Sequence, residues 1–141
     1  MDNSKYSYGS TQDKSVANRK QVENNKRKLS DYNLVRIIGT GTFGKVYLAI
    51  LNEKSYALKI LNKKKIIDLK QTDHIKNEKN ILADVNHPFV VNLIESFQDK
   101  INLYLAFEFV QGGEIFRLLR KENLFPNDVS LFYIAEIILA L

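Results

Sequence analysis

Between residues 32 and 110, apolar positions alternate with polar ones over several short stretches, as they do in half-buried strands. The predicted strands cover residues 32–39, 44–50, 55–61, 90–98 and 102–110. Residues 52–54 and 99–100 are short and polar, which is typical of hairpin turns between such strands. We interpret the three lysines at 63–65 as a solvated connector after the third strand.

Three other segments are predicted to be helices. Residues 71–85 form the first of them, and Asn86-His87-Pro88 ends it, because the residue before a proline avoids helical backbone. The apolar stripe of this helix contains Ile75, Leu82 and Val85, with Ile81 beside it.

The other two predicted helices, at residues 114–120 and 129–141, follow the pair Gly112-Gly113, which ends the last strand. Within 129–141, the only polar or half-polar residues are Ser130, Tyr133 and Glu136. A helix that is apolar on nearly every side belongs inside a helical domain. We therefore expect that Leu141 is not the end of a domain.

Three glycines, Gly39, Gly41 and Gly44, have the spacing GxGxxG. Without a Cβ atom, such a turn lets backbone N–H groups approach phosphate oxygens. Dinucleotide-binding folds share this spacing, but there a helix follows the glycines directly. Here the next residues alternate as in a half-buried strand, with Val46, Leu48 and Ile50 on one face. The pattern predicts a strand–turn–strand lid over phosphates, and an ordinary flexible hairpin is the alternative.

Lys59 lies in an apolar strand, on the same face as Ala57 and Leu61. Glu78 lies on the apolar stripe of the first predicted helix, three residues after Ile75. An inward acid is costly unless a cation meets it, and Lys59 is the nearest candidate. The residues thus predict an ion pair between strand and helix that holds the ammonium near the phosphates. The alternatives are a lysine that reaches the sheet edge and a half-exposed glutamate.

Together these features resemble the small lobe of eukaryotic serine/threonine protein kinases. The resemblance is carried by the stretch GTGTFGKV at 39–46, by Ala57-Leu58-Lys59 and by Glu78. Further blocks are similar to the cAMP-dependent protein kinase catalytic subunit, namely residues 74–79, 86–89, 102–110 and 112–114. The likeness extends from about residue 29 to residue 141.

The resemblance implies an α+β fold, in which a five-stranded antiparallel sheet and one main helix precede the first helices of a truncated helical lobe. Residues 31–110 then form the kinase N-lobe, and residues 111–141 form the hinge exit and the start of an incomplete C-lobe. Residues 1–30 are polar and rich in asparagine, serine and lysine. Such a segment buries too little apolar surface to offset its ordering entropy, so we predict a disordered basic tail.

The resemblance also implies ATP and Mg²⁺ as cofactors. Lys59 is expected to bind the α- and β-phosphates and Glu78 to hold it, which makes these two the catalytic residues of the chain. The lid over the phosphates is expected to consist of Gly39, Thr40, Gly41, Thr42, Phe43 and Gly44, with Phe43 at its tip and the Thr42 N–H near the γ-phosphate.

The same resemblance places the adenine between Ile38, Val46, Ala57 and Val91, for which plain core packing is the alternative. Phe107 falls at the gatekeeper position, where the cAMP-dependent enzymes commonly have methionine, and should narrow the pocket behind the adenine. The hinge that bonds the adenine edge runs from Glu108 to Val110. Glu114 is expected to bond the ribose and an arginine three residues before the target serine or threonine.

In the resembled kinases, His74 reaches the phosphorylated activation segment, and Leu82 and Leu93 belong to the hydrophobic spine. The catalytic aspartate and both magnesium ligands of that family come after the position of Leu141, so we expect no metal site in the chain and no phosphoryl transfer by this fragment. A truncated, non-catalytic interaction module or decoy is the alternative function. A Rossmann enzyme is disfavoured by the strand after Gly44.

Composition and charge agree with one globular unit, since 45% of the residues are apolar and 26% are charged. There is no cysteine and no apolar stretch long enough to cross a membrane. Much of the net charge of +5 lies in residues 1–30, where seven lysines and arginines face three acidic residues. A solvated arm explains the basic charge of this segment better than a contact with lipid or nucleic acid. Separately, Arg27-Lys28-Leu29-Ser30 resembles a site that such kinases phosphorylate.

The expected partners are therefore ATP, protein substrates with basic residues before serine or threonine and, by resemblance, a regulatory subunit. We expect no DNA partner. The expected location is the cytoplasm, with the nucleus as a further one.

Overall fold

The computed structural model describes residues 27–141, in which five strands form one sheet. The strands are β1 (Asn33–Thr40), β2 (Gly44–Leu51), β3 (Lys54–Asn62), β4 (Leu93–Gln98) and β5 (Asn102–Glu108). Their order in the sheet is β1-β2-β3-β5-β4, and each neighbouring pair is antiparallel. The predicted α+β fold is confirmed, and the antiparallel hairpin at the glycines is not the βαβ unit of a dinucleotide fold.

Two helices lie between β3 and β4 and two follow β5, and the first of the four was not predicted. They are α1 (Lys63–Asp68), α2 (Thr72–Asp84), α3 (Ile115–Glu122) and α4 (Asn127–Ala140). A 3-10 turn at Leu29–Asp31 precedes β1. Residues 1–26 of the predicted basic tail lie outside the described residues.

Helix α1 shows that the prediction of a connector at residues 63–65 was wrong. The three lysines form its first turn, and the side chain of Asn62 accepts a hydrogen bond from the Lys65 N–H at 3.1 Å. Asparagine is a strong N-cap residue because its side chain satisfies a helix donor that has no partner in the helix. Lys64 and Lys65 are exposed, and Ile66 on the opposite side is buried.

Four element boundaries differ from the predicted ones by two residues or more. Helix α3 ends at Glu122 rather than at residue 120. Strand β4 begins at Leu93 rather than at residue 90, and β5 ends at Glu108 rather than at residue 110. Helix α4 begins two residues early, directly after Pro126, whose φ of −55° suits the entry to a helix. Apolar side chains continue beyond both strand ends, so hydropathy alone does not mark the points where the strand pairing stops.

Each face of the sheet has its own core. On the outer face, the buried residues are Tyr32, Ala49, Leu51, Leu58, Tyr104 and Ala106. On the inner face, Leu61 and Leu105 pack with Ile66 of α1 and Ile75 of α2. The β2 residues of the inner face are less buried than the alternation suggested, since Val46 and Leu48 are half-buried and Ile50 is exposed.

An aromatic stack on the outer face ties the start of β1 to β4 and β5. Tyr32 stacks on Phe97 with ring centroids 5.8 Å apart, and Phe97 stacks on Tyr104 at 4.7 Å. The Tyr32 hydroxyl donates to Glu95 Oε1, and Arg27 Nε lies 3.6 Å from Glu95 Oε2. Burial and the hydrogen bond to Glu95 both raise the pKa of Tyr32 far above its usual range, so the hydroxyl stays protonated as a donor.

The turn between β4 and β5 is organised by the carboxylate of Asp99. Its Oδ1 accepts hydrogen bonds from the N–H groups of Ile101 at 2.7 Å and Asn102 at 2.6 Å. Its Oδ2 accepts from the Tyr104 hydroxyl at 2.7 Å. These bonds, first the one from Tyr104, lower the pKa of Asp99.

We expect the Asp99 network to make stability depend on acid pH. Because the folded pKa lies below the unfolded one, this stabilisation is complete at neutral pH and is lost as pH falls through the folded pKa. Asp99→Asn keeps one acceptor but removes the charge, so it should lower the free energy of unfolding at pH 7. Urea unfolding at several pH values should show the difference between variant and wild type shrinking as the pH falls below the ordinary range of a carboxyl pKa. A difference that stays constant with pH would contradict the role of the charge.

Helix α4 agrees with the predicted helix that is apolar nearly all round. None of its residues is buried, and its most exposed apolar side chains include Leu131, Ile138 and Leu139, each more than 60% exposed. Within residues 27–141, no helix is both long enough and apolar enough to span a membrane.

Candidate active site

The glycine turn connects β1 to β2 and lies over the inner face of the sheet. The Gly41 N–H donates to Gly44 O at 2.9 Å and closes the turn, while the Asn62 N–H donates to Phe43 O at 2.9 Å and ties the turn to β3. The N–H groups of Thr42 and Phe43 have no acceptor in the part of the chain that the structure describes. The turn thus offers two backbone donors, as an anion-binding loop does.

The three glycines have different surroundings. A Cβ on Gly44 would lie 1.8 Å from the carbonyl oxygen of Ile60, whereas a Cβ on Gly41 would have no heavy atom of residues 27–141 within 4 Å. A Cβ on Gly39 would make ordinary contacts with Val46 at 3.5 Å. Of the three glycines, therefore, only Gly44 is required by the packing of the sheet. The contacts within the described residues do not require glycine at position 39 or 41.

Lys59 lies beneath this turn and is paired with α2. Its Nζ is 2.7 Å from Glu78 Oε1, as the predicted strand-to-helix ion pair requires. The two side chains are 30% and 40% exposed, so the pair faces an open cleft and is not enclosed among aliphatic side chains. Val46 is the cross-strand partner of Lys59, which brings the ammonium close to the glycine turn.

One pocket of about 300 Å³ contains the predicted phosphate-binding residues. It is lined by Gly39, Thr40, Gly41, Thr42, Phe43, Gly44, Lys45, Val46, Lys59 and Leu61. The structure therefore brings the whole predicted lid and the lysine to one place. Backbone donors and one ammonium group on the same pocket match the needs of a polyphosphate.

The residues predicted to hold the adenine are divided between two places. Val46 lines the pocket under the glycine turn, whereas Val91, Glu108 and Val110 line a second pocket of about 450 Å³. This second pocket, which we call the hinge pocket, also includes residues of α4 such as Tyr133 and Ile137.

The other predicted adenine residues line neither pocket. Ala57 pairs with Phe107 across β3 and β5, so both lie on the inner face of the sheet. Ile38 is 37% exposed near the end of β1. Phe107 also packs against the core of the inner face.

Beyond β5 the chain turns through two glycines with positive φ, +106° at Gly112 and +81° at Gly113. Glycine adopts such angles without strain, which permits the bend that leads into α3. Glu114 is the N-cap residue of α3 and is exposed, and its carbonyl oxygen accepts from the Arg117 N–H at 3.0 Å. The carboxylate that was predicted to bond ribose and arginine is thus free to meet a ligand.

The remaining predicted residues lie on or near α2. His74 is exposed, and its Nδ1 is 2.8 Å from Gln71 Oε1. Leu82 is half-buried, and Leu93 packs against the core of the inner face. Residues 27–141 contain no group of three histidine or acidic side chains that could hold a metal ion.

Sequence reasoning missed the contacts that hold the hinge to the sheet. The Asn92 N–H and side-chain amide both donate to Glu108 Oε1, at 2.8 Å and 3.0 Å. The pair is separated by sixteen residues and was not marked by any motif. Its only sequence signal was a glutamate at the end of an otherwise apolar strand.

The sheet, the lid and the lysine–glutamate pair define the small lobe of a protein kinase, and the chain belongs to that family. The sequence pattern of the protein kinase domain matches residues 32–141.

The chain is similar to several cAMP-dependent protein kinases. It is 52% identical over 121 residues to the cAMP-dependent protein kinase catalytic subunit of Dictyostelium discoideum, covering 84% of this chain and 18% of that protein. It is 48% identical over 115 residues to the catalytic subunit of Schizosaccharomyces pombe, covering 80% and 22%. For cAMP-dependent protein kinase type 3 of Saccharomyces cerevisiae, the identity is 44% over 118 residues, covering 82% and 30%. The chain thus spans less than a third of each of these relatives.

Proposed function

We propose that the protein containing this chain transfers the γ-phosphate of ATP to serine or threonine in sequences with a preceding arginine. The observation that carries the proposal is the 2.7 Å ion pair between Lys59 and Glu78 in the cleft below the glycine turn. Membership of the protein kinase family and the similarity to cAMP-dependent enzymes support it.

The phosphate end of the site has the features that this chemistry requires. Phosphoryl transfer depends mainly on positioning and on neutralising charge, with little covalent chemistry by the protein. The free N–H groups of Thr42 and Phe43 and the Lys59 ammonium supply donors and charge to the phosphates. Gly39 and Gly41, which the packing of the chain does not require, permit phosphates to approach the backbone.

We propose that residues of the inner face and the backbone of the hinge bind the adenine. Val46 and Ala57 lie on neighbouring strands of that face, and the backbone from Glu108 to Val110 begins at the last residue of β5. We assign the adenine edge to this backbone, and Ile38, Val91 and Phe107 to the walls of the slot. Glu114, at the exposed start of α3, is assigned to ribose and to the arginine of the substrate.

Magnesium and the acceptor hydroxyl need groups that residues 27–141 do not supply. These residues include no carboxylate cluster suited to a divalent ion. We therefore derive no metal-dependent step from them, and we expect residues 1–141 alone to transfer no phosphate. Control by a regulatory subunit is proposed from the similarity to catalytic subunits of cAMP-dependent enzymes. A location in the cytoplasm, with the nucleus as a further one, stays a prediction.

Glu114→Ala tests the proposed substrate preference in the complete natural protein. Two serine peptides are compared, one with arginine and one with alanine three residues before the serine. We expect the variant to reduce the preference for the arginine peptide about tenfold, because a charge-assisted hydrogen bond is lost. Glu122→Ala, at the other end of α3, is the matched control and should keep the preference. An unchanged ratio of kcat/KM in Glu114→Ala would contradict the assignment, and no transfer from ATP by the wild type would overturn the proposed function.

A further inference from the structure

Asn92 and Glu108 form a reciprocal clamp where the chain enters β4 and leaves β5. The Asn92 N–H and Nδ2 both donate to Glu108 Oε1, at 2.8 Å and 3.0 Å. In return, the Glu108 N–H donates to Asn92 O at 3.1 Å. One carboxylate oxygen thus accepts two donors from a single residue, and both residues are half-buried. Hydrogen bonds to a charged acceptor are stronger than neutral ones.

The clamp holds backbone that the sheet itself does not hold. Val91 and Asn92 precede β4, and the pairing of β4 with β5 is irregular between Leu93 and Glu95. Within the described residues, the other hydrogen bonds of this approach are local, from the Val90 N–H to His87 O and from the Phe89 N–H to His87 Nδ1. The Asn92–Glu108 contacts therefore extend the connection between the two strands beyond the last sheet pair, Leu93 with Phe107, to the residue next to Val91.

Val91 and the hinge belong to the same pocket. Val91 is 46% exposed and lines the hinge pocket together with Glu108 and Val110. Under the proposed function, Val91 is a wall of the adenine slot and the backbone after Glu108 bonds the adenine edge. The clamp connects these two parts directly, at the end of the site away from the Lys59–Glu78 pair.

We infer that the side chain of Glu108 is a positioning group for the nucleotide base: it fixes the spacing between the Val91 wall and the hinge backbone through Asn92. This inference rests on the proposed function. It gives a role to the side chain of Glu108, a residue of which the proposed function used only the backbone. The role needs an acceptor at Glu108 and a donor at Asn92, and it does not need the negative charge itself.

Loss of the clamp should affect nucleotide affinity more than the chemical step. Without the acceptor, the approach to β4 becomes mobile, and ATP must order it on binding. If only a fraction of the molecules has the ordered site, the apparent affinity for ATP is reduced in proportion to that fraction. The phosphates at the other end keep their lid and their lysine, so turnover at saturating ATP is retained.

Four variants of the complete natural protein test the inference, with KM for ATP and kcat as the readouts. Glu108→Ala and Asn92→Asp should each raise KM for ATP about tenfold and change kcat less than about twofold. Glu108→Gln should stay near wild type, since its Oε1 accepts from the same two donors. The double variant Asn92→Asp with Glu108→Gln should restore a low KM, because the glutamine amide then donates to the new carboxylate. Glu122→Ala, exposed on α3, is the control.

The outcomes separate this inference from the proposed function. A wild type that uses ATP, with Glu108→Ala and Asn92→Asp at an unchanged KM, would overturn the positioning role and leave the kinase function standing. If Glu108→Ala and Asn92→Asp instead lower kcat and the melting temperature together with the rise in KM, and the double variant restores none of these, the clamp is purely structural. That result would also overturn the positioning role. A wild type without ATP-dependent transfer would overturn both.

Discussion

Replacing Lys59 with methionine is expected to lower the rate of phosphoryl transfer at least about 100-fold in the complete natural protein. Methionine has a similar length but no charge and no N–H donor, so the phosphates lose the cation below the glycine turn. Glu78 would also lose its partner at 2.7 Å. Because that pair is 30% and 40% exposed, the free energy of unfolding should change by less than about 1 kcal/mol.

The measurement is kcat/KM for ATP with a serine peptide, accompanied by urea unfolding of the same preparations. Lys64→Met is the matched control, since Lys64 is exposed on α1 and lies outside the site. It should keep both activity and stability. An active Lys59→Met enzyme would contradict the catalytic assignment. A variant that is both inactive and unfolded would show that Lys59 is needed for the structure rather than for catalysis.

Replacing Gly44 with alanine is expected to cost about 3 kcal/mol in the free energy of unfolding. The new Cβ would lie 1.8 Å from the Ile60 carbonyl oxygen and 3.2 Å from Leu61 Cα. Both neighbours are backbone atoms of β3, so no side-chain rotation relieves the contact. The strands must separate, and their hydrogen bonds near Leu61, the partner of Gly44, should weaken.

Gly41→Ala provides the comparison within the same turn. Among the residues that the structure describes, its Cβ would meet no heavy atom within 4 Å, and Gly41 does not have a positive φ. The free energy of unfolding should therefore change by less than about 1 kcal/mol. Urea unfolding of the two variants side by side measures the contrast. Equal losses of stability would show that the turn tolerates alanine equally badly at both positions and would refute the separate roles of the two glycines.

Several parts of the fold and site could be predicted because the information is local. Gly39, Gly41 and Gly44 lie within six residues, and the strand after them is apparent from its alternation. The Lys59–Glu78 pair was predictable because each residue interrupts an apolar face of its own element. A charge in such a place needs a partner, and only one inward cation was near.

Other parts depend on contacts between residues that are distant in the chain. The bond from Tyr32 to Glu95 spans 63 residues. The Asn92–Glu108 clamp lies where β4 begins and β5 ends, and hydropathy marks neither point. Helix α1 was missed because three lysines carry no apolar period, although Ile66 is buried against α2 and β5.

The sequence by itself determined the class of fold, the glycine turn and the ion pair of the site. The hydropathy periods indicate the strands and helices, and one inward cation and one inward acid indicate the pair. The tertiary structure decided where β4 begins and β5 ends, how α1 packs and how Asn92 holds the hinge. It also decided that the Lys59–Glu78 pair faces an open cleft. These features arise from strand register and side-chain packing, and both depend on all five strands being in place.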